Sequence, residues 1–337
     1  MKIGILSSGG DCPGINATIR GVGKTAITQY GMEVVGIHGG FSGLLNRDVE
    51  PLDEHSLSGI LNLGGTILGT SREKGFREML TSPDQEQSLL ITQAYEELGL
   101  DCLVCIGGNG TQKTTNLLAQ HGLHVIGLPK TIDNDIWGTE ITFGFDTAVN
   151  IATEAIDRLH STASSHKRVM LVEVMGHRAG WIALYAGMAG GADVILLPEL
   201  GFDIQKINEA ICHRAQKGKP HSIVVVAEGL KMPDKKKATD FLTHEIEAAT
   251  GIETRKTVLG YIQRGGNPSP FDRILATRLG GYATELIAKG QFGCMVCVKD
   301  NRIDSIPLSE VAGKLKLVTP EHDLVVQGKR MGISFGV

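Results

Sequence analysis

The feature of this sequence that most constrains its fold is the regular alternation of short apolar runs with longer helical patterns. The apolar runs are rich in Val, Ile and Leu, which is typical of strands buried on both faces of a parallel sheet. Eight runs have this character: KIGILS (2–7), EVVGIH (33–38), DCLVCIG (101–107), HVIGLP (124–129), RVMLVEV (168–174), DVILLP (193–198), HSIVVVAE (221–228) and MVCVKD (295–300).

Helical patterns occupy the intervals between these runs, and they begin near residues 14, 147, 178, 207, 238 and 271. Strands that alternate with helices in this way predict an α/β protein with doubly wound, mostly parallel sheets. The length of 337 residues favours two α/β lobes, because single hydrophobic cores stop growing at about 250–300 residues.

Composition narrows the functional class. The formal net charge of −4 argues against a general nucleic-acid binder, which would carry a strongly basic surface. No stretch approaches the ~20 apolar residues of a membrane span, and the opening MKIGILSSGG lacks the long apolar core of a signal peptide. We therefore expect a cytoplasmic protein without membrane or nucleic-acid partners.

Two CxxC pairs, Cys102/Cys105 and Cys294/Cys297, raise the question of a zinc site. Both pairs fall in predicted strands, where residues three apart point to opposite faces of the sheet. One metal ion cannot easily be held by such a pair. Buried, reduced cysteines are the favoured interpretation.

Two glycine-rich segments each follow a predicted strand and precede a predicted helix. They are SSGGDCPG (7–14) and IGGNGTQKT (106–114), and in the second we expect the helix to open at a cap-like Thr111. Glycines followed by the N-terminal amides of a helix can wrap a polyphosphate closely. A plain strand-to-helix turn is the alternative for either loop alone.

The segment PKTIDNDI (129–136) places two carboxylates directly after a predicted strand. Phosphoryl transfer to an alcohol needs a carboxylate near the acceptor hydroxyl and oxygen ligands for Mg²⁺. Asp133 and Asp135 are two residues apart on one loop, so they can serve both purposes. An Asx-rich turn is the alternative interpretation.

Several arginines lie beside the Gly, Ser or Thr residues of predicted binding loops. Guanidinium groups suit phosphate oxygens because they donate hydrogen bonds in pairs. The candidates are Arg72, Arg168, Arg178, Arg255 and Arg264.

Taken together, these and neighbouring motifs resemble the bacterial-type 6-phosphofructokinase family, from about residue 1 to about residue 285. The motifs are SSGGDCPG, GGTILGTSR, IGGNGT, PKTIDNDI, SSHKR, VEVMG, AEG, ETRKTVLGYIQRGG and PFDRILATR. The resemblance implies two α/β lobes with the active site between them, and a glycolytic kinase that transfers a phosphoryl group to the 1-hydroxyl of fructose 6-phosphate.

The resemblance also implies roles for individual residues. Asp133 matches the catalytic base, Thr131 a residue near the transferred group, and Asp135 a residue that assists Mg²⁺. The positions that match nucleotide contacts are Gly9, Arg72, Glu73, Gly108, Asn109, Gly110 and Thr111. The positions that match sugar-phosphate contacts are Met175, Gly176, His177, Arg178, Glu228, Tyr261 and Arg264, with Arg168 and Arg255 supplied by a neighbouring subunit of a homotetramer or homodimer.

Four positions depart from the family pattern. Asn109 stands where a magnesium-binding aspartate is usual, and an amide oxygen is still a possible ligand without the charge. His177 stands where an arginine usually follows Met-Gly, and Tyr261 replaces a substrate-contacting histidine. Lys130 replaces the glycine of common ATP-dependent members and resembles the branch that uses pyrophosphate or either donor.

The donor is the main open question. Gly110 leaves room for the α-phosphate of ATP, whereas pyrophosphate users typically carry an aspartate there that would repel it. We weigh Gly110 above Lys130 and expect ATP with Mg²⁺. A pyrophosphate-dependent phosphotransferase and a non-catalytic sugar-phosphate or nucleotide sensor remain the alternatives.

The resemblance suggests how the chain divides. We expect a donor (nucleotide) lobe over about 1–138 and a sugar-phosphate lobe over about 139–300. The remaining segment, 301–337, is expected to return to the donor lobe. No change in composition marks these boundaries.

Overall fold

A computed structural model describes residues 1–72, 74–81, 85–232 and 237–337. The chain divides into two compact units, and each unit is assembled from three separate segments. Unit 1 comprises Met1–Thr131, Ile136–Asp146 and Arg264–Leu315, and unit 2 comprises Ile132–Asp135, Thr147–Gln263 and Lys316–Val337.

The described residues form strands and helices in alternation. The strands are β1 (Lys2–Ser8), β2 (Glu33–Ile37), β3 (Val49–Pro51), β4 (Cys102–Gly107), β5 (Val125–Pro129), β6 (Val169–Val174), β7 (Val194–Leu196), β8 (Ser222–Ala227), β9 (Thr254–Val258), β10 (Cys294–Lys299) and β11 (Arg302–Pro307). The α-helices are α1 (Ile15–Tyr30), α2 (Phe41–Asn46), α3 (Lys74–Leu80), α4 (Gln85–Glu97), α5 (Asn109–Gln120), α6 (Phe145–His166), α7 (Trp181–Ala189), α8 (Ile204–Gln216), α9 (Ala238–Thr250), α10 (Pro270–Ala288), α11 (Leu308–Val311) and α12 (Asp323–Arg330).

Unit 1 is built on a seven-stranded sheet with the order β11-β10-β5-β4-β1-β2-β3. The inner pairs are parallel, and the outermost strands β3 and β11 pair antiparallel with their neighbours. The register aligns Ser8 with Gly107 and Gly107 with Pro129. The carboxyl ends of β1, β5 and β4 therefore meet at one edge, where open α/β sheets bind ligands.

Unit 2 is built on a four-stranded, fully parallel sheet with the order β7-β8-β6-β9. Its core includes Leu171, Val224 and Leu242, which are all inaccessible to solvent. Val174 aligns with Ala227 at the carboxyl edge of the sheet. The loops after β6 and β8 consequently begin side by side.

The predicted fold class is confirmed, as are the eight predicted strands and the six predicted helices. The sequence patterns missed the edge strands β3, β9 and β11. Charged and polar residues dominate β9, whose sequence is TRKTV and whose residues are mostly exposed. An edge strand needs no continuous apolar run, so the pattern that identifies buried strands does not identify it.

The predicted boundaries along the chain differ from the observed ones. The stretch Arg264–Leu315 belongs to unit 1 rather than to the second lobe, because α10 packs against α1 and β10 pairs with β5. The stretch Lys316–Val337 belongs to unit 2 rather than to the first lobe. There the backbone of Ser334 pairs with that of β7, accepting a hydrogen bond from Ile195 N at 2.9 Å.

The CxxC cysteines lie in β4 and β10, as predicted, and Cys102, Cys105 and Cys297 are buried. Burial raises the pKa of Cys297 to about 11 and raises the pKa of Cys102 well above its ordinary value. A raised pKa disfavours the thiolate form that binds zinc. No helix among the described residues combines the length and the apolar character needed to cross a bilayer.

Candidate active site

The loop after β1 is tied to the segment that precedes Arg72. Gly9 has a φ of 83°, its N–H donates to Ser71 O at 3.0 Å, and its carbonyl accepts from Thr70 Oγ1 at 2.7 Å. A positive φ of this kind favours glycine. These contacts fix the two motifs SSGGDCPG and GGTILGTSR against each other and leave Arg72 exposed beside Gly9.

The loop after β4 leads directly into the N-terminus of α5. The helix begins at Asn109, and its N-cap residue Gly108 has an extended backbone and makes no side-chain cap. The first-turn N–H groups of a helix point outward along its axis, where they attract anions. With no acidic residue in this first turn, the start of α5 suits a phosphate group.

Thr111 does not open this helix, so the sequence-based prediction of a threonine cap was wrong. Thr111 is the third helical residue and is buried, with its hydroxyl 3.4 Å from Ser8 O. A β-carbon built on Gly107 would lie 2.0 Å from Thr111 Oγ1. The glycine thus makes room for the threonine, and the helix can begin two residues earlier than expected.

Lys130 lies between the two glycine loops of unit 1. Its side chain is buried, its ammonium donates to the carbonyl of Gly10, and its backbone N–H donates to Gly107 O at 3.0 Å. The ammonium therefore has a partner within the protein. Because this contact gives Lys130 a role within the protein, the residue is a weaker indicator of pyrophosphate use.

Arg264 also belongs to unit 1 and lies against the first glycine loop. A β-carbon built on Gly10 would lie 2.6 Å from Arg264 Nη1. The arginine was predicted to contact the sugar phosphate, and in this structure it lies beside the loop predicted to contact the nucleotide. Unit 1 thus gathers two cationic side chains and the start of α5 around the carboxyl ends of β1, β4 and β5.

The carboxylate loop follows β5 and Thr131, and its residues Ile132–Asp135 are assigned to unit 2. Asp133 and Asp135 are buried, with 9% and 4% of their surface exposed. Asn134 between them has a φ of 51°, a left-handed conformation that asparagine tolerates better than most residues. The loop thus holds two carboxylates in a largely dehydrated position.

Lys316 contacts this loop, and sequence analysis did not identify it. Its ammonium donates to Asn134 Oδ1 at 2.9 Å, and its backbone N–H donates to Asp135 O at 2.9 Å. No motif surrounds Lys316 in the string KLKLV, so nothing in the sequence marked it.

The predicted sugar-phosphate residues of unit 2 are brought together at the carboxyl edge of its sheet. Glu228 Oε1 accepts hydrogen bonds from Gly176 N at 3.3 Å and from His177 N at 2.7 Å. Met175 N donates to the buried side chain of Gln263 at 3.2 Å. Gln263, which the sequence analysis did not single out, therefore anchors the same loop.

The loop after β6 has an unusual backbone. Gly176 has a φ of 149°, and a β-carbon there would lie 2.4 Å from Ala179 O. His177 has a positive φ of 53°, which is uncommon outside glycine. Arg178 is exposed on the same turn. This tight turn presents successive backbone groups and the side chains of His177 and Arg178 to solvent.

Arg168 and Arg255 lie at the opposite edge of the unit 2 sheet. Both contact Glu253, with Arg168 Nε 2.6 Å from Glu253 Oε2. The Arg168 hydrogen bond lowers the pKa of this glutamate. Six residues of β6 separate Arg168 from Met175, about 20 Å along a strand. The structure of this chain does not bring these arginines to the Met175 loop.

Two predicted residues remain to be placed, Tyr261 and Glu73. Tyr261 is 78% exposed in a short 3₁₀-helix over Gly260–Arg264. Glu73 lies outside the described residues.

The acidic residues suit a Mg²⁺ that is bound together with phosphates. Among the residues described, no three His, Cys, Asp or Glu side chains are grouped so that they could hold a metal ion. Mg²⁺ commonly uses one or two carboxylates and completes its shell with water and substrate phosphates. Asp135 offers such a carboxylate in unit 2, and, considered separately, Asn109 offers an amide oxygen at the start of α5 in unit 1.

The fold and the loops at its strand ends define an α/β phosphotransferase, and comparison with known proteins assigns the family. The pattern of the family described as Phosphofructokinase matches residues 2–287. The chain therefore belongs to the phosphofructokinase family, which confirms the resemblance.

Curated relatives match over their full length. The chain is 67% identical over 336 residues to ATP-dependent 6-phosphofructokinase 3 of Bacteroides thetaiotaomicron, covering 100% of both chains. It is 54% identical to ATP-dependent 6-phosphofructokinase of Spirochaeta thermophila, covering 99% of this chain and 97% of the relative.

Solved structures agree with the observed fold. Phosphofructokinase from Saccharomyces cerevisiae has a TM-score of 0.83 and 30% identity, and the match covers 92% of this chain but only 45% of that longer chain. Pyrophosphate-dependent phosphofructokinase from Marinobacter aquaeolei has a TM-score of 0.83 at 23% identity, covering 99% of this chain and 92% of that one. The second likeness bears on the fold alone.

Proposed function

We propose that this chain is an ATP-dependent 6-phosphofructokinase. The reaction transfers the γ-phosphoryl group of ATP to the 1-hydroxyl of fructose 6-phosphate and yields fructose 1,6-bisphosphate and ADP in glycolysis. The observation that carries the proposal is the pair of buried carboxylates, Asp133 and Asp135, at the end of β5 in a chain that matches full-length relatives of this name.

Asp133 acts as the general base in this proposal. The bond between the γ-phosphorus and its bridging oxygen breaks, and a bond forms between that phosphorus and the sugar's 1-oxygen. The proton of the 1-hydroxyl passes to the Asp133 carboxylate. Burial of Asp133 limits competition from water, and removing a proton in the transition state accelerates reactions by about 10²–10⁴-fold. Thr131 lies two residues away, near the transferred group.

The nucleotide phosphates bind to unit 1 at the start of α5. The first-turn N–H groups of that helix receive the phosphates, and Gly110 adds no side chain at its second position. Gly9, Gly108 and Thr111 shape the two loops, and Arg72 and Glu73 complete the nucleotide contacts. Lys130 supports the arrangement by bonding to Gly10 rather than by excluding ATP.

The sugar phosphate binds to the turn after β6. Met175, Gly176 and His177 present backbone and side-chain groups, and Arg178 supplies a positive charge. Glu228 fixes this turn and accepts a hydrogen bond from a sugar hydroxyl. Tyr261 adds a contact from the segment that follows β9.

A bound Mg²⁺ would supply positive charge next to the phosphate oxygens. Asp135 and Asn109 are its proposed protein ligands. Asn109 brings no charge, so Asp135 carries most of the protein's share of the binding.

A homotetramer or homodimer in the cytoplasm completes the proposal. Arg168 and Arg255 lie at the edge of the unit 2 sheet opposite the Met175 loop, so we assign them to the site of a neighbouring subunit. Sedimentation analysis of the purified protein tests this assignment. A fully active monomer would refute it.

An assay of the purified protein coupled to fructose 1,6-bisphosphate formation tests the reaction. We expect turnover with ATP and fructose 6-phosphate, and little with pyrophosphate. Strong pyrophosphate turnover would favour the pyrophosphate-dependent alternative, and Lys130 would then be the residue that indicated the donor. Binding of both ligands without turnover under either donor would identify a sensor.

A further inference from the structure

The proposed transfer requires the Asp133 carboxylate to be held close to its productive position. Effective general-base catalysis needs placement to within about 0.5 Å, and an error of about 1 Å costs on the order of 100-fold in rate. The loop that carries Asp133 contains Asn134 in a left-handed conformation. Such a conformation persists only where surrounding groups hold it.

Lys316 contacts both the side chain of this left-handed residue and the backbone of the residue that follows it. Its ammonium donates to the Asn134 side chain, and its backbone N–H donates to the carbonyl of Asp135, each at 2.9 Å. One residue therefore fixes both the side chain at the centre of the loop and the backbone that follows it.

Trp181 holds Lys316 in turn. The indole Nε1 donates to Lys316 O at 2.9 Å, and the Lys316 ammonium lies 5.3 Å from the centroid of the indole ring. That distance is within the range of a cation–π interaction. Trp181 is only 6% exposed and is the first residue of α7, so it is a rigid support.

The same network reaches the turn proposed to bind the sugar phosphate. Glu199 Oε1 accepts from Gly180 N at 2.9 Å and from Val318 N at 3.0 Å, which joins the start of α7 to the Lys316 segment. The turn after β6 leads into Gly180 through Ala179, whose N–H donates to Gly176 O at 2.9 Å. The loop that carries Asp133 and the turn after β6 are thus connected through the same hydrogen-bonded residues of unit 2.

We propose that Lys316 is a positioning residue for the phosphoryl transfer, acting on Asp133 through its hydrogen bonds to Asn134 and Asp135 and supported by Trp181. This inference rests on the proposed function. Lys316 acts through the loop and not on the substrate, so its loss lowers kcat and leaves the KM for fructose 6-phosphate unchanged.

The chain contains a matched control for this lysine. Lys314 lies two residues earlier in the same segment, and its ammonium is 5.9 Å from the centroid of the Trp137 ring. Both residues of that pair are exposed. Lys314→Met removes a lysine from an indole, as Lys316→Met does, without removing the hydrogen bond to Asn134.

The kinetic test compares five variants of the full chain with the unmodified protein. We expect Lys316→Met to lower kcat on the order of 10–100-fold, Lys316→Arg to retain most of kcat, and Lys314→Met to leave it unchanged. Asn134→Gly keeps the positive φ accessible while removing the partner of Lys316. The double variant Lys316→Met/Asn134→Gly should be no slower than the slower single variant, because the two substitutions remove the same hydrogen bond.

A second measurement does not depend on activity. Hydrogen exchange of the peptide covering residues 131–137 should be faster in Lys316→Met than in the unmodified protein, and should not change in Lys314→Met. Unchanged exchange in Lys316→Met would overturn the inference. A kcat for Lys316→Met within about twofold of the unmodified value would also overturn it, and so would a double variant whose loss of kcat equals the product of the two single losses. Failure of the unmodified protein to phosphorylate fructose 6-phosphate would instead refute the proposed function, while the exchange result would still decide whether Lys316 holds the loop.

Discussion

The start of α5 and the loop Ile132–Asp135 are built from different kinds of chemical groups. At the start of α5 the groups are backbone N–H donors, set among Gly107, Gly108 and Gly110, with no acidic residue in the first turn. In the loop the groups are side chains, with two carboxylates beside an amide that Lys316 contacts. One region offers hydrogen-bond donors to an anion, and the other offers acceptors to a proton or a cation.

This difference implies two kinds of sensitivity. A site made of backbone groups tolerates changes among neutral side chains but fails where an added atom displaces the main chain or an added negative charge repels the bound anion. A site made of carboxylates fails when a single oxygen is replaced, even if every contact distance is kept. Four substitutions, two of them paired with a control variant, test this contrast.

The largest effect is expected at the side-chain site. Asp133→Asn replaces the proposed base by a group of the same shape that cannot accept the proton, so we expect kcat to fall by about 10²–10⁴-fold. Binding of both substrates should be nearly intact, because the base acts in the transition state. Steady-state kinetics and calorimetric titration measure the two quantities. Turnover comparable to the unmodified protein would remove Asp133 from this role.

The next effect is expected from a charge placed in the backbone site. Gly110→Asp sets a carboxylate against the ATP phosphates, and we expect kcat/KM for ATP to fall on the order of 100-fold, with pyrophosphate becoming the better donor. An acidic residue in the first turn stabilises a helix by about 0.3–1 kcal/mol, so unfolding does not account for such a loss.

The uncharged variant Gly110→Asn separates charge from bulk in that experiment. It should retain much more ATP turnover than Gly110→Asp does. Equal losses in the two variants would mean that size alone excludes the nucleotide.

A smaller effect is expected from a single methyl group in the backbone site. A β-carbon at Gly107 would lie 2.0 Å from Thr111 Oγ1 and 2.2 Å from its Cβ, and the buried threonine has no flexible end that could move away. We expect Gly107→Ala to lower the free energy of unfolding by about 1–3 kcal/mol, as measured by urea denaturation.

Gly75→Ala is the control for that change. Gly75 is exposed in α3, and a β-carbon there would meet no atom within 4 Å. Because alanine is the better helix former, this substitution should be neutral or stabilising by up to about 1 kcal/mol. If both variants lose the same stability, the contact with Thr111 is not the cause.

The smallest effect is expected from a carboxylate added at the first residue of α5. Asn109→Asp adds one carboxylate to the proposed Mg²⁺ ligands, and we expect half-saturation by Mg²⁺ at a severalfold lower concentration because the added charge attracts the cation. Activity measured across a magnesium titration gives this value. An unaltered titration curve would exclude position 109 as a metal ligand.

Features that neighbouring residues determine could be predicted from the sequence. Buried strands such as β4 and β8 were predictable because each is a continuous apolar run. The glycine loops were predictable because a strand end, a glycine cluster and a helix start follow one another along the chain. The two aspartates were predictable because they lie two residues apart in a polar string after an apolar run.

Contacts between distant parts of the chain were not predictable in this way. Lys316 is 182 residues from Asn134, and one lysine among 33 Lys and Arg residues carries no local mark of its partner. The same limit explains the boundary of unit 1, since the pairing of β10 with β5 depends on register and not on composition. Thr111 was misplaced because its side chain fills the space above Gly107 instead of capping the helix.

The interleaving of the two units has a consequence for how the protein is made. Unit 1 cannot complete its sheet until β10 and β11 have left the ribosome, and unit 2 needs Ser334 to pair beside β7. Neither unit corresponds to a continuous stretch of polypeptide, so neither can fold completely before most of the other has been translated. Pairing of segments so far apart is slow, because long loops must close before the contacts form. Newly made chains should therefore expose unpaired strand edges until the segment around Ser334 has been made, and such edges favour aggregation during translation.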